Sequence, residues 1–200
     1  MKKSLITLTL SLVVAVVVLI SISLWVTGKY NTLVTKQETV NTEWAQVENV
    51  YQRRLDLIPN LVNTVKGYAN HENQTLIGVI EARAKATQTK IDPSNMTSEQ
   101  LAQFSNNQQG LSGALSKLMV VMEAYPDLKA NQNFRDLQAQ LEGTENRITV
   151  ERKRFNDAAK DYNTYLRKFP TNIIANMFSF DKYPYFKAEE GSEKAPVVAF

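Results

Sequence analysis

Between residues 4 and 26 the chain carries no charged side chain, reading SLITLTLSLVVAVVVLISISLWV. Roughly 20 apolar residues suffice to cross a bilayer as a helix, so this run predicts a membrane-spanning anchor. Lys2 and Lys3 precede it and Lys29 closes it. Trp25 and Tyr30 stand at its far boundary, where amphipathic rings favour the membrane–water interface. A cleaved signal peptide has a shorter apolar region, about 7–15 residues, and a small-x-small cleavage site. The run is longer than that, so an uncleaved, single-pass anchor is expected. Lys2, Lys3 and the terminal amine favour a cytoplasmic N-terminus and a domain outside the cytoplasm. Lys29 and Lys36 on the other flank partly offset that bias.

Beyond the anchor the apolar positions follow helical spacing. Leu33, Val40, Trp44, Val47, Tyr51, Leu55, Ile58, Val62, Val65, Ala69, Leu76 and Val79 form a seam in steps of mostly three and four. Two steps of four in succession, from Val47 to Leu55, mark a stutter. The seam keeps phase across Pro59, and Ile58 would be a poor N-cap for a new helix. A single kinked helix from about Tyr30 to about Thr89 is therefore expected. Turn chemistry at Asp92-Pro93 ends it. Thr97 and Gln100 form a capping box that opens a second helix, whose apolar face is Leu101, Phe104, Leu111, Leu115, Leu118 and Met122. Gly110 and Gly113 weaken that helix or permit a close approach. Pro126 stops it, and Asn131 is a cap for the third helix. That helix keeps the three-four alternation from Phe134 to Phe169 and ends at Pro170. A short amphipathic segment with Ile173, Ile174, Met177 and Phe178 follows, then the aromatics Phe180, Tyr183, Tyr185 and Phe186, expected to plug the bundle's end.

The pattern predicts an all-α protein: one N-terminal transmembrane helix, then a long antiparallel bundle of three long helices and a short fourth. The expected division is an anchor at 1–29, a bundle at 30–187 and a flexible tail at 188–200. The second helix is about half as long as the first. The part of helix 1 nearest the membrane, left uncovered by the second helix, is thus expected to stand alone, meet a partner or fold back, with Val40, Trp44 and Val47 as a candidate interaction stripe.

Composition and charge narrow the chemistry. The 200 residues hold no cysteine and one histidine, with a formal net charge of +3. Disulfides and thiolate metal sites are excluded. A bundle di-iron site needs two Glu-x-x-His motifs, and His71 cannot supply both; it is expected at the surface. Neither GxxxxGK[ST] nor GxGxxG occurs, so phosphate-cradling loops lack support. Basic residues are interleaved with acidic ones, as on a solvated helix face, and no nucleic-acid patch is indicated. No cofactor, metal or catalytic residue is assigned.

Three segments carry a resemblance: WAQVENVYQRRLDLIPNLVNTVKGYANHE from Trp44, EAYPDLKANQNFRDLQAQLEGTENRITVERKRFNDAAKDYN from Glu123, and FP at Phe169. Together they are similar to the LemA family of bacterial membrane proteins, over nearly the whole chain. The resemblance implies an N-terminal transmembrane helix, a helical-bundle domain and a place among other membrane proteins and peptidases. It also implies a short N-terminus outside, the reverse of the charge-based orientation. Arg53, Arg54, Asp56, Asn60, Asn63, Glu145, Asn146 and Arg147 lie in these segments. They are the candidate interaction residues, or else interhelical polar contacts that fix register. The function expected is a non-enzymatic scaffold or interaction module of the envelope. Its partners would be the bilayer and another membrane or envelope protein, or a second copy. The alternative is a ligand-sensing or substrate-presenting module with a polar groove. Asp56, Asn60, Glu145 and Arg147 converging on a cavity would favour the alternative. Their scattering on solvent faces would favour the scaffold.

Overall fold

The structure, a computed structural model, describes residues 2–69 and 72–187, with side chains from residue 10 onward. His71 and the tail at 188–200 lie outside the described residues. The described residues are all-α, with six α-helices among them, in order: α1 (Lys2–Lys66), α2 (Asn73–Gln88), α3 (Ser98–Met122), α4 (Pro126–Ala130), α5 (Gln132–Arg167) and α6 (Thr171–Met177). Pro59 lies inside α1 and does not end it. The expected helix 1 is nonetheless divided, because α1 stops at Lys66 and α2 begins six residues beyond Gly67. The seam stays in phase across the break, which is why spacing alone did not reveal it.

The caps follow their sequence signals. Thr97 accepts from the Gln100 backbone N–H, and the Gln100 side chain accepts from the Thr97 backbone N–H, which closes the predicted box. Asn131 Oδ1 accepts from the Phe134 N–H at 3.1 Å and starts α5. Pro126 opens the one-turn helix α4, at a position where its missing N–H costs nothing. Gly110 and Gly113 face open space, so they serve no close helix contact.

α1 and α5 form the long axis. Lys36 pairs with Asp161, Arg54 with Glu145, and Asn131 donates to Tyr68. One residue number rises as the other falls by almost the same amount. The two helices are therefore antiparallel without slip, over ~50 Å at the helical rise. α2 and α3 form a second antiparallel pair, tied at one end by Tyr125 Oη donating to Glu72 (3.0 Å) and at the other by Asn107 donating to Thr89 (2.7 Å).

The interior holds two apolar clusters. The one farther from the N-terminal segment is a four-helix core, with Ile58, Leu61 and Val65 of α1, Val79 of α2, Leu111 and Leu118 of α3, and Leu137 and Leu141 of α5. The other holds Leu33, Val40, Trp44 and Val47 of α1 against Phe155, Ala159 and Tyr162 of α5 and against Tyr183 and Phe186.

This second cluster corrects the expected interaction stripe. Val40, Trp44 and Val47 are fully buried, at 0%, 1% and 0% exposure. α5 runs along nearly all of α1 beyond the apolar run, and the segment at 180–187 covers the remaining side. Trp44 meets Phe104 and Phe155 edge-on (5.4 and 5.5 Å) and stacks on Phe186 at 6.1 Å. The C-terminal aromatics thus form a strap along the bundle's side. Two asparagines of α5 clip it. The Asn163 side chain donates to Tyr183 O (2.8 Å) and accepts from Tyr183 N–H (3.0 Å); Asn156 does the same to Phe186 (3.0 and 2.9 Å). Seven helical residues advance about 10.5 Å, and three extended residues about 10 Å. The two spacings match, so both clips close at once.

Two details of the expected seam change. The buried row late in α5 is Ala159, Tyr162, Asn163 and Leu166, and Phe169 points outward at 80% exposure. In α1 the large apolar side chains from residue 10 to 24 are all exposed, at 47–70%. This part of α1 is long and apolar enough to cross a membrane.

Candidate functional site

Where the two apolar clusters meet, the interior turns polar. Arg54 is the reason. Its side chain is 2% exposed, yet it sits on the seam of α1 between Tyr51 and Ile58. Counting Arg54 as a seam residue gives Val47, Tyr51, Arg54, Ile58, in steps of four, three and four. The two successive steps of four then move on to Arg54, Ile58 and Val62, and Leu55 is buried beside Arg54. The other helices present polar residues at the same level: Gln108 and Ser112 on α3, Thr144 and Glu145 on α5, and Arg83 on α2.

The geometry satisfies most of the guanidinium. One terminal nitrogen, Nη1, donates to Glu145 Oε1 at 2.5 Å and to Ser112 Oγ at 2.8 Å. The other, Nη2, donates to Gln108 Oε1 at 2.5 Å and to the Gln108 carbonyl at 3.3 Å. Nε has no partner, and the guanidinium lies 5.1 Å from the Tyr51 ring centre. Removing an arginine from water costs several kcal/mol, and only dense, well-aligned acceptors offset that. Four hydrogen bonds, one to a carboxylate, supply them. Thr144 bonds back to the carbonyl of Gln140 at 2.7 Å and so hides its own hydroxyl.

Arg83 repairs the defect made by Pro59. An ordinary residue at 59 would donate its N–H to the carbonyl of Leu55, four residues back. Proline has none. Arg83 Nε of α2 donates to that carbonyl instead, at 2.9 Å. The kink-prone turn of α1 is thus bonded across to α2, one turn beyond the Arg54 cluster.

The candidate residues divide. Arg54 and Glu145 are brought together. Arg53, Asp56, Asn60 and Asn63 lie on the exposed face of α1, and Asn146 and Arg147 on the exposed face of α5. Asp56 is occupied locally by Gln52, which donates to it at 2.7 Å. Val40, Trp44 and Val47 belong to the core, as given above. Sequence reading set Thr144 on the seam of the third helix but missed Gln108, Ser112 and the pairing role of Arg83. The signal was present: Gln108 and Arg83 stand at seam positions of α3 and α2, in phase with apolar neighbours.

This arrangement holds a buried charge. Its carboxylate is bound to a guanidinium, and the other members are amides and hydroxyls. Among the described residues no three His, Asp or Glu side chains converge as metal ligands. The surface depressions are open. One, lined by Lys85, Gln88, Thr89, Lys90, Gln100, Gln103 and Asn107, lies between α2 and α3.

The chain is similar in sequence to known proteins. The chain is similar to magnetosome protein MamQ 1 of Paramagnetospirillum magneticum, 27% identical over 187 residues, which is 85% of this chain and 68% of the relative. It is similar to magnetosome protein MamQ of Magnetospirillum gryphiswaldense, 25% identical, covering 94% of this chain and 75% of the relative. It also matches protein LemA of Metamycoplasma hominis, 23% identical, covering 82% and 71% of the two chains. The sequence model of the LemA family matches residues 43–200, from just before Trp44 through the polar layer and the strap. The chain belongs to the LemA family.

Proposed function

We propose that this protein is a membrane-tethered, non-enzymatic bundle that binds or scaffolds another protein of the cell envelope. Its anchor is residues 1–29, its bundle 30–187. The N-terminal helix crosses the membrane once, and the bundle lies on the extracytoplasmic side.

One observation carries this reading. Within the segments that resemble the family, Arg53, Asp56, Asn60 and Asn63 form a solvent-facing row on α1. Neither the depression around Lys85 and Lys90 nor the one around Val34 and Glu43 is lined by them. A polar row with a fixed helical spacing, held rigid by the Arg54 cluster and the Arg83 bond, suits recognition by a partner surface. A groove module is the second reading, resting on the open depression around Lys85 and Lys90, whose walls are amides and lysines.

The test is cross-linking of the full-length protein in its membrane, followed by mass spectrometry, with the wild type beside an Asp56→Lys/Asn60→Lys variant. Loss of a specific cross-linked protein from the variant, at unchanged melting temperature, supports the scaffold. An identical pattern in both, or recovery of the protein alone, removes it.

A further inference from the structure

α6 is apolar on both sides. Ile174 and Ala175 are buried against the bundle, with Thr171 beside them. On the opposite side Ile173 and Met177, one turn apart, are exposed at 54% and 60%, and Phe169, in the turn before the helix, is exposed at 80%. Phe178 adds a second aromatic, 47% exposed. A soluble surface gains nothing from such a stripe.

Its position says what covers it. Val26, the last residue of the uncharged run, already packs on the bundle core, so no spacer separates the folded part from the apolar segment. Four residues on, the Tyr30 ring meets Phe178 at 4.9 Å and Phe180 at 5.6 Å. Four residues of helix rise about 6 Å. The polar layer on each side of a bilayer is about 5–8 Å deep. α6 therefore lies at the depth of the headgroups when α1 spans. Arg167 and Lys168 at the end of α5 are exposed beside it, with Asp181 and Lys182 on the strap. Aromatic and aliphatic side chains flanked by basic ones are the composition of an interfacial segment.

We infer that the corner between α5 and α6 is a second membrane contact, with Phe169, Ile173, Met177 and Phe178 seated in the interfacial layer of the bilayer that α1 crosses. The inference rests on the spanning reading of the N-terminal segment. The foot fixes the tilt of the bundle, so that the outer face of α1 is presented at a set height above the lipid.

Because the chain has no cysteine, single labels report cleanly. Full-length Ile173→Cys, carrying an environment-sensitive nitrobenzoxadiazole dye, is reconstituted into phosphatidylcholine–phosphatidylglycerol vesicles containing lipids spin-labelled high on the acyl chain. Leu19→Cys reports the span, and Val120→Cys an exposed apolar site on α3. Met177→Cys repeats the measurement should the label at 173 disturb packing. The expected result is quenching at 173 and 177 at least several-fold above that at 120. Quenching at 19 with 173 and 177 equal to 120 overturns the foot while the span stands. No quenching at 19 overturns both. A blue-shifted but unquenched dye at 173 assigns the stripe to a second copy of the chain and overturns the lipid contact.

Discussion

At the scale of single residues, Arg54 sets the terms. Its burial is tolerable only while its acceptors stay in place, so removing one side of the cluster should be costly. Arg54→Ala leaves Gln108 and Ser112 facing a void and is expected to lower stability by about 3–5 kcal/mol. Arg54→Met keeps the apolar stem and lets the half-exposed Glu145 turn to water, and should cost less, about 1–3 kcal/mol. Urea denaturation of the two variants in detergent checks the order. Tyr162 is a different case. Its hydroxyl is buried without a hydrogen-bond partner, and burial pushes its phenol pKa well above the usual value of 10. The unfolded chain can release that proton near pH 10 and the folded one cannot. This contribution to stability is therefore present below pH 10 and lost as pH rises beyond it. Tyr162→Phe removes the orphan hydroxyl and should be neutral or stabilising at pH 7, with a flatter loss of melting temperature from pH 9 to 11. A steeper loss than wild type would contradict the assignment.

At the scale of elements, the Pro59 turn and the strap each depend on a side chain replacing a backbone bond. If Arg83 stands in for the missing N–H of residue 59, the two positions are coupled. Arg83→Ala should cost about 1 kcal/mol more in the Pro59 background than beside Pro59→Ala, where the restored N–H serves Leu55. An additive double-mutant cycle would separate the two. The strap is held by two-point clips. Asn163→Ala removes both bonds to Tyr183, about 2 kcal/mol of local stability, and should raise the chymotrypsin cleavage rate at Tyr183 on the order of 30-fold. Why the apolar seams gave no sign of the polar layer is clear at this scale. A search for apolar residues skips Arg54 and Gln108, although both keep the heptad phase. A charged or amide residue in an otherwise unbroken seam is the mark of a polar layer, and Thr144 of α5 carries the same mark. The break after Lys66 left no comparable trace, because the loop returns the chain to the same register.

At the scale of the molecule, the six helices divide the work. α2, α3 and the far halves of α1 and α5 make a four-helix core; the near halves of α1 and α5, with α6 and the strap, make the base that joins the apolar segment. The caps and the bundle class were legible in the sequence, since each long helix carries its own periodic face; the division of helix 1 after Lys66 and the one-turn helix α4 were not. The covered base was not. Comparing the expected second helix with the first left out the reach of the third, and no local pattern shows that an extended aromatic segment will fold back. Asp56, Asn60 and Asn63 were singled out on sequence grounds, but their outward direction follows from which neighbours claim the seam. The account's central claim is that this outward row on α1 meets a partner protein above the membrane. Its most direct measurement is a photo-cross-linkable amino acid at Asn60, activated in native membranes, beside the same probe at the exposed Val120 of α3. The account predicts one discrete adduct from position 60, with a different protein, and none from 120. Adducts of equal pattern from both positions, or the protein recovered alone from both, would contradict it.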